Sequence, residues 1–241
     1  MALFRSRAAS GRVRRERGPE EPAERLVTML DPTGIASEAY RTLRTNLFYA
    51  IADNPPKIIV MTSPGPGEGK STTCANLGVV LAQAAKSTLV LDCDFRKPML
   101  HKIFGLGNRQ GIMDVLTGER GIKEVWKEPV EGLKVIPTGP LPPNPVEVLG
   151  TQRFSQFLAD VRVQFDYVLV DSAPVGVVSD PIILATKADG VLLVLDAQNT
   201  RKASVQQAMR SIKAVDAPVL GTIMNNTKAL QGGYYSDYSY K

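Results

Sequence analysis

The segment Ser63-Pro-Gly-Pro-Gly-Glu-Gly-Lys-Ser-Thr72 leaves this chain few folds to choose from. It follows Lys57-Ile-Ile-Val-Met-Thr62, a short β-branched apolar run that reads as a buried strand. A helix is predicted from about Lys70 to Ala85, and Ser87-Thr-Leu-Val-Leu-Asp92 reads as a second buried strand. Strand, glycine loop, helix and strand in this order form a βαβ unit, which implies parallel pairing and a right-handed crossover. Glycines in such a loop let backbone N–H groups converge on phosphate oxygens, and the helix N-terminus adds partial positive charge. Lys70 is then placed to reach the β- and γ-phosphates of ATP, and the Ser71 hydroxyl to meet Mg²⁺. Gly65, Gly67, Glu68, Gly69, Lys70, Ser71 and Thr72 are the expected nucleotide-binding residues. The usual pattern G-x-x-x-x-G-K-[ST] has glycine where this chain has Pro64; the core Gly67-Glu-Gly69-Lys70-Ser71 is intact.

The alternation continues. A helix is predicted from Ile35 to about Ala52, ended by Pro55-Pro56. Strands are predicted at Gly132–Pro137, Tyr167–Asp171, Gly190–Asp196 and Val219–Asn225. Helices are predicted between them, over Pro145–Phe165 and about 178–187 and 201–215. The fold class that results is α/β, a doubly wound, mostly parallel sheet with helices on both faces. Ligands of such sheets bind outside the carboxyl ends of the strands. The remaining chemistry-bearing residues fall there. Asp92-Cys-Asp94-Phe-Arg96 ends the second strand, and two carboxylates one residue apart call for a cation or a substrate hydroxyl. Asp171-Ser-Ala-Pro174 ends another strand and supplies a further candidate Mg²⁺ ligand. Asn225, at the last strand's end, is a candidate for the adenine. Gly139-Pro-Leu-Pro-Pro-Asn-Pro145 is either a rigid loop shaping the site or a connector.

Composition narrows the chemistry. Two cysteines, Cys74 and Cys93, and one histidine, His101, argue against a disulfide framework or a metal centre ligated by nitrogen and sulfur. No apolar run approaches the ~20 residues of a membrane span, and the N-terminus lacks a signal-peptide core, so a cytoplasmic protein is expected. Residues 1–25 hold seven arginines and four glutamates, which is +3 of the net +5. The basic character therefore lies in an arm and not in a stripe across the fold, and no specific nucleic-acid binding is expected. The arm reads as a solvated, disordered leader, with anionic lipid or nucleic acid as the alternative contact. The expected organisation is a disordered arm over 1–30, a nucleotide-binding domain over 31–228 and a flexible, tyrosine-rich tail over 229–241.

Taken together, these motifs resemble the bacterial tyrosine kinases of capsule and exopolysaccharide systems. The family's Walker A loop matches Gly69-Lys70-Ser71-Thr72, its D-x-D-x-R strand matches Asp92 to Arg96, and its Walker B D-x-x-P matches Asp171 to Pro174. The family's E-x-x-R-x-x-R oligomerisation motif matches Glu38, Arg41 and Arg44, which also share one side of a predicted helix. Its C-terminal autophosphorylation cluster matches Tyr234, Tyr235, Tyr238 and Tyr240, here interrupted by Ser236, Asp237 and Ser239. The resemblance implies an ATP- and Mg²⁺-dependent kinase with Lys70 and Asp92 or Asp94 as catalytic residues. Ser71, Asp92, Asp94 and Asp171 are the implied metal site, with Asp92 favoured as the base. It also implies a ring-shaped homo-oligomer, protein substrates carrying tyrosine, and a separate membrane-embedded activator that brings the protein to the inner face of the membrane. Two other readings compete. A partitioning-type ATPase would carry an early loop lysine, and the aligned residue here is Gly65. A nucleotide-gated regulator of a polysaccharide polymerase would bind without turnover.

Overall fold

In a computed structural model of the chain, residues 26–50 and 55–227 are described. They form α1 (Val27–Leu30), α2 (Ile35–Ala50), β1 (Ile58–Thr62), α3 (Lys70–Ala82), β2 (Thr88–Asp92), α4 (Leu100–Ile103), α5 (Ile112–Thr117) and α6 (Ile122–Val125). There follow β3 (Lys127–Val130), β4 (Leu133–Ile136), α7 (Pro145–Gly150), α8 (Gln152–Gln164), β5 (Tyr167–Asp171), α9 (Asp180–Ala185), β6 (Gly190–Asp196), α10 (Lys202–Lys213) and β7 (Val219–Asn225).

The strands form one sheet in the order β3-β4-β2-β5-β1-β6-β7. Every pair is parallel except β3 with β4. Strands β1, β2 and β5 are buried along their whole length, as a sheet covered on both faces requires. Alternate residues feed two cores. Ile59 and Met61 pack with Leu77, Leu81 and Leu47 under α2 and α3. Ile58 and Val60 pack with Phe154, Leu158 and Ile212 under α8 and α10. Because β1 lies between β5 and β6, its exit opens at the middle of the sheet. The β2–β5 register sets Asp92 beside Asp171 at that same end.

Three expectations change. Residues 26–30 do not belong to an arm. Leu26 is buried, and Thr28 donates to Asn76 Oδ1 of α3 from its N–H (3.0 Å) and its hydroxyl (2.8 Å). The partner lies 48 residues on, so this staple leaves no local mark in the sequence. The helical stretch from Pro145 breaks at Thr151, whose extended backbone and side-chain oxygen cap α8 through the Phe154 N–H. The antiparallel edge strand β3 and the short α4, α5 and α6 fill residues 100–130, where no element is predicted. Residues 1–25, 51–54 and 228–241, with the arm and the tail tyrosines, lie outside the described residues.

Helix α3 lies close to the sheet because Gly78 faces it. A Cβ there would come within 2.5 Å of Val90 Cγ2 and 3.3 Å of Leu133 Cδ1. Gly78→Val overfills that contact and should lower unfolding free energy by ~1–3 kcal/mol in urea titrations. An unchanged midpoint and slope would contradict this packing account.

Candidate active site

The loop from β1 to α3 takes its shape from two glycines. Gly67 (φ 80°) and Gly69 (φ 90°) occupy the left-handed region, where a side chain is strained. Gly69 caps α3, so that Lys70 and Ser71 open the helix. The loop is laced to the segment after β5. The Ser172 N–H donates to Met61 O (3.1 Å), the Thr62 hydroxyl to Ala173 O (2.8 Å) and the Val175 N–H to Ser63 O (2.9 Å). Gly176 lies so close to the loop that a Cβ would meet Pro64 O at 2.2 Å. Where the usual pattern has glycine, Pro64 thus stands against a glycine from another strand's loop.

The buried Lys70 ammonium donates to Asp94 Oδ2 (2.8 Å), Ser71 Oγ (3.1 Å) and Asp171 Oδ1 (3.4 Å). Burial alone would lower its pKa, but Asp171 and then Asp94 outweigh it and hold the amine protonated above its ordinary value. Burial, with Asp171 as a neighbouring charge, pushes Asp92 well up. Asp171 is also raised, by burial, against the opposing pull of Lys70. One of its oxygens, Oδ2, is buried without a hydrogen-bond partner. An unpartnered carboxylate oxygen beside a serine hydroxyl fits a hard cation bound through oxygen. Among the described residues no three Asp, Glu, His or Cys side chains form a metal site by themselves. The chain therefore offers a part-site, which phosphate oxygens and water would complete.

The sequence-predicted residues divide. Lys70, Ser71, Asp94 and Asp171 converge. Asp92 lies beside them, but Oδ1 accepts the Asp94 N–H (3.2 Å) and Oδ2 those of Met99 (3.1 Å) and Leu100 (3.0 Å). It thereby shapes the strand-end turn, a role its spacing did not suggest. Asp94 Oδ1 likewise accepts the Arg96 and Lys97 N–H groups. Thr72, half-buried, follows in the first turn of α3. The Glu68 side chain turns from the phosphate side. It accepts from the Gly65 N–H (2.7 Å), the Thr200 hydroxyl (2.6 Å) and the Asp196 N–H (3.2 Å). The Asn225 nitrogen expected to meet adenine here donates to Glu68 O (3.1 Å) and covers Gly69. Asn225 and Glu68 both brace the loop against the ends of β6 and β7.

Sequence reading missed Thr200, Asp196 and Asp180. The last is fully buried and accepts Arg96 through both oxygens, at 2.8 and 3.0 Å, tying the turn after β2 to α9. These pairs lie 84 to 132 residues apart, and no local pattern announces them. On α2, Arg41 pairs with Glu38 and with Pro32 O. Arg44 does not simply continue that exposed stripe, because its guanidinium donates to Val80 O of α3 (3.0 Å).

Fold and site together define a P-loop nucleotide-binding α/β protein. Residues 56–224 match the family model described as an AAA domain. The chain is 37% identical to the tyrosine-protein kinase YwqD of Bacillus subtilis, over 90% of this chain and 92% of that one. It is 35% identical to the tyrosine-protein kinase Wzc of Salmonella typhimurium, over 89% of this chain but only 30% of that longer one. Among solved structures, the chimerical protein CapA2B2 superposes with a TM-score of 0.82 at 32% identity, covering 87% of this chain and 93% of that one. The chain belongs to the bacterial tyrosine-protein kinases.

The raised carboxylates carry a pH signature. A carboxyl whose native pKa is raised keeps its proton longer folded than unfolded, so its contribution to stability falls as pH climbs through that window. Asp171→Asn removes one such group and should raise the nucleotide-free melting temperature at pH 8 by ~2–4 °C, on the order of 1 kcal/mol. The gain should shrink toward pH 4 in circular-dichroism melts. A difference that does not vary with pH would contradict this charge balance.

Proposed function

We propose that this chain is an ATP-dependent protein-tyrosine autokinase. It phosphorylates Tyr234, Tyr235, Tyr238 and Tyr240 of a neighbouring copy and so regulates capsular or exopolysaccharide synthesis and export. The observation that carries this reading is the Lys70 ammonium at the exit of β1, gathered with Ser71, Asp94 and Asp171, in a chain that belongs to the tyrosine-protein kinases.

In this reading the amides of Gly67 and Gly69 and the Lys70 amine hold the phosphates of ATP, while the Gly65 amide, expected among them, stays on the Glu68 carboxylate. Ser71 and Asp171 would hold Mg²⁺, with Asp94 beside them, and a metal there would supply positive charge for the transferring phosphoryl group. Lys70 exchanges its contact with Asp94 for phosphate oxygens, and its ammonium charge faces the group in transfer. Asp92, its pKa raised by burial and by the neighbouring charge of Asp171, accepts the proton of the incoming tyrosine hydroxyl. Asp92 and Asp94 exchange some of their backbone contacts in doing so. Catalysis is then mostly positioning and charge stabilisation.

The partners follow from the same reading. Copies associate through α2, where Glu38 and Arg41 remain on the surface, into a homo-oligomeric ring. Arg44 supports that helix from inside its own chain. A membrane-embedded activator recruits the kinase to the inner face of the membrane; among the described residues no helix is long and apolar enough to cross one. The basic arm over 1–25 adds affinity for anionic lipid.

Incubation with ATP, Mg²⁺ and the activator's cytoplasmic segment, followed by mass mapping of phosphotyrosine, tests this. Wild type should label the tail tyrosines. Lys70→Met alone should fall by on the order of 10²–10³-fold, yet its tail should be labelled when wild type is added. Steady ATP hydrolysis without phosphotyrosine would overturn the kinase reading for a partitioning-type switch. Nucleotide binding without turnover would overturn it for a gated regulator.

A further inference from the structure

Beside the loop, and outside the phosphate site, a groove of about 730 Å³ runs between β7 and α10. Its floor is apolar, made by Leu195, Val205, Met209 and Met224, and Met224 is 54% exposed. Its α10 wall carries three exposed cations, Lys202, Arg210 and Lys213. Among the described residues none of the three has an ion-pair partner. Asp196, the one acid in the lining, is already engaged by Gln198, Asn199 and Asn226. An apolar floor under unpaired cations suits a ligand that joins an aromatic ring to a dense negative charge. Methionine packs well on ring edges, and Arg binds phosphate in a bidentate fork.

We propose that this groove binds the phosphorylated C-terminal segment, residues 228–241, of this same chain, with phosphotyrosine rings on the floor and phosphates on Arg210, Lys213 and Lys202. The placement follows from the topology. Strand β7 is the sheet's edge and parallel to β6, so it ends where α10 begins, and the described chain leaves at Thr227, three residues past Met224. Tyr234 comes seven residues after Thr227 and can lie up to ~23 Å away. The 12 residues of α10 span ~18 Å. The tail tyrosines can therefore reach every cation of the wall. Each phosphate adds about −1.5 to −2 charges, so a modified tail and this wall are complementary where an unmodified tail is not.

The inference rests on the autokinase reading for the source of the phosphates and adds what becomes of the product. A tail held in its own groove is withdrawn from a neighbour's active site. The groove lining includes Asp196 and Thr200, the residues that hold Glu68 of the loop, so a docked tail also lies against the loop's brace.

The test uses the full chain as Lys70→Met and a fluorescent synthetic peptide of residues 228–241. Fluorescence anisotropy should give at least about tenfold tighter binding when the four tyrosines are phosphorylated than when they are not. The Arg210→Glu/Lys213→Glu pair on the same background should abolish that difference while leaving the melting temperature unchanged. Equal affinity for both peptides would overturn the proposal, as would full binding after charge reversal. So would phosphatidylserine vesicles binding through these cations when the phosphopeptide does not. Because the peptide is phosphorylated chemically, failure here leaves the kinase reading intact, and failure of autophosphorylation leaves this binding result standing.

Discussion

The buried Lys70 ammonium is the interaction on which the rest of the site depends. A cation taken out of water must be neutralised nearby, and here Asp94 and Asp171 do so from the ends of two strands that are not consecutive in the chain. Only a sheet that seats β5 between β1 and β2 brings those carboxylates to the loop. One ammonium faces three carboxylates, counting Asp92; burial raises Asp92 and Asp171, and the surplus negative charge adds to it. The unpartnered Asp171 Oδ2 belongs to the same imbalance. The nucleotide-free site thus stores unfavourable charge that a divalent cation would relieve, the usual exchange of stability for function.

The loop above that lysine is held from two sides. On one side the segment after β5 presses Gly176 against Pro64. On the other, Glu68 reaches Thr200 and Asp196, and Asn225 closes over Gly69. Its glycines supply the left-handed turns, while these distant residues hold the loop rigid. The second set of contacts joins the phosphate loop to the ends of β6 and β7, the strands nearest the groove and the outgoing C-terminus. The bidentate Arg96–Asp180 pair does for the turn after β2 what Glu68 does for the loop. The geometry of the loop and of the turn after β2 is therefore set largely by ion pairs and hydrogen bonds to residues distant in the chain.

Much of this was legible in the sequence because it is local. Apolar runs of four to seven residues, a glycine loop and Asp at the strand ends led to the parallel sheet and the cluster of Lys70, Ser71, Asp94 and Asp171. What failed was non-local or had no period. Thr28 joins the fold through Asn76 and Gln83, 48 and 55 residues away. Arg44 reads as part of a charged stripe until its partner, a backbone carbonyl on α3, is known. Glu68 sits within the loop motif, yet its carboxylate serves Thr200, 132 residues on. The three cations of α10 share a helix face in the sequence, but the apolar floor beneath them comes partly from β6 and β7.

The account stands on Lys70 changing partners. A crystal structure with a non-hydrolysable ATP analogue and Mg²⁺ tests that most directly. The account predicts the Lys70 amine on β- and γ-phosphate oxygens and released from Asp94, with the metal on the Ser71 hydroxyl and Asp171. A bound analogue that leaves Lys70 paired with Asp94, its phosphates held elsewhere, would contradict it.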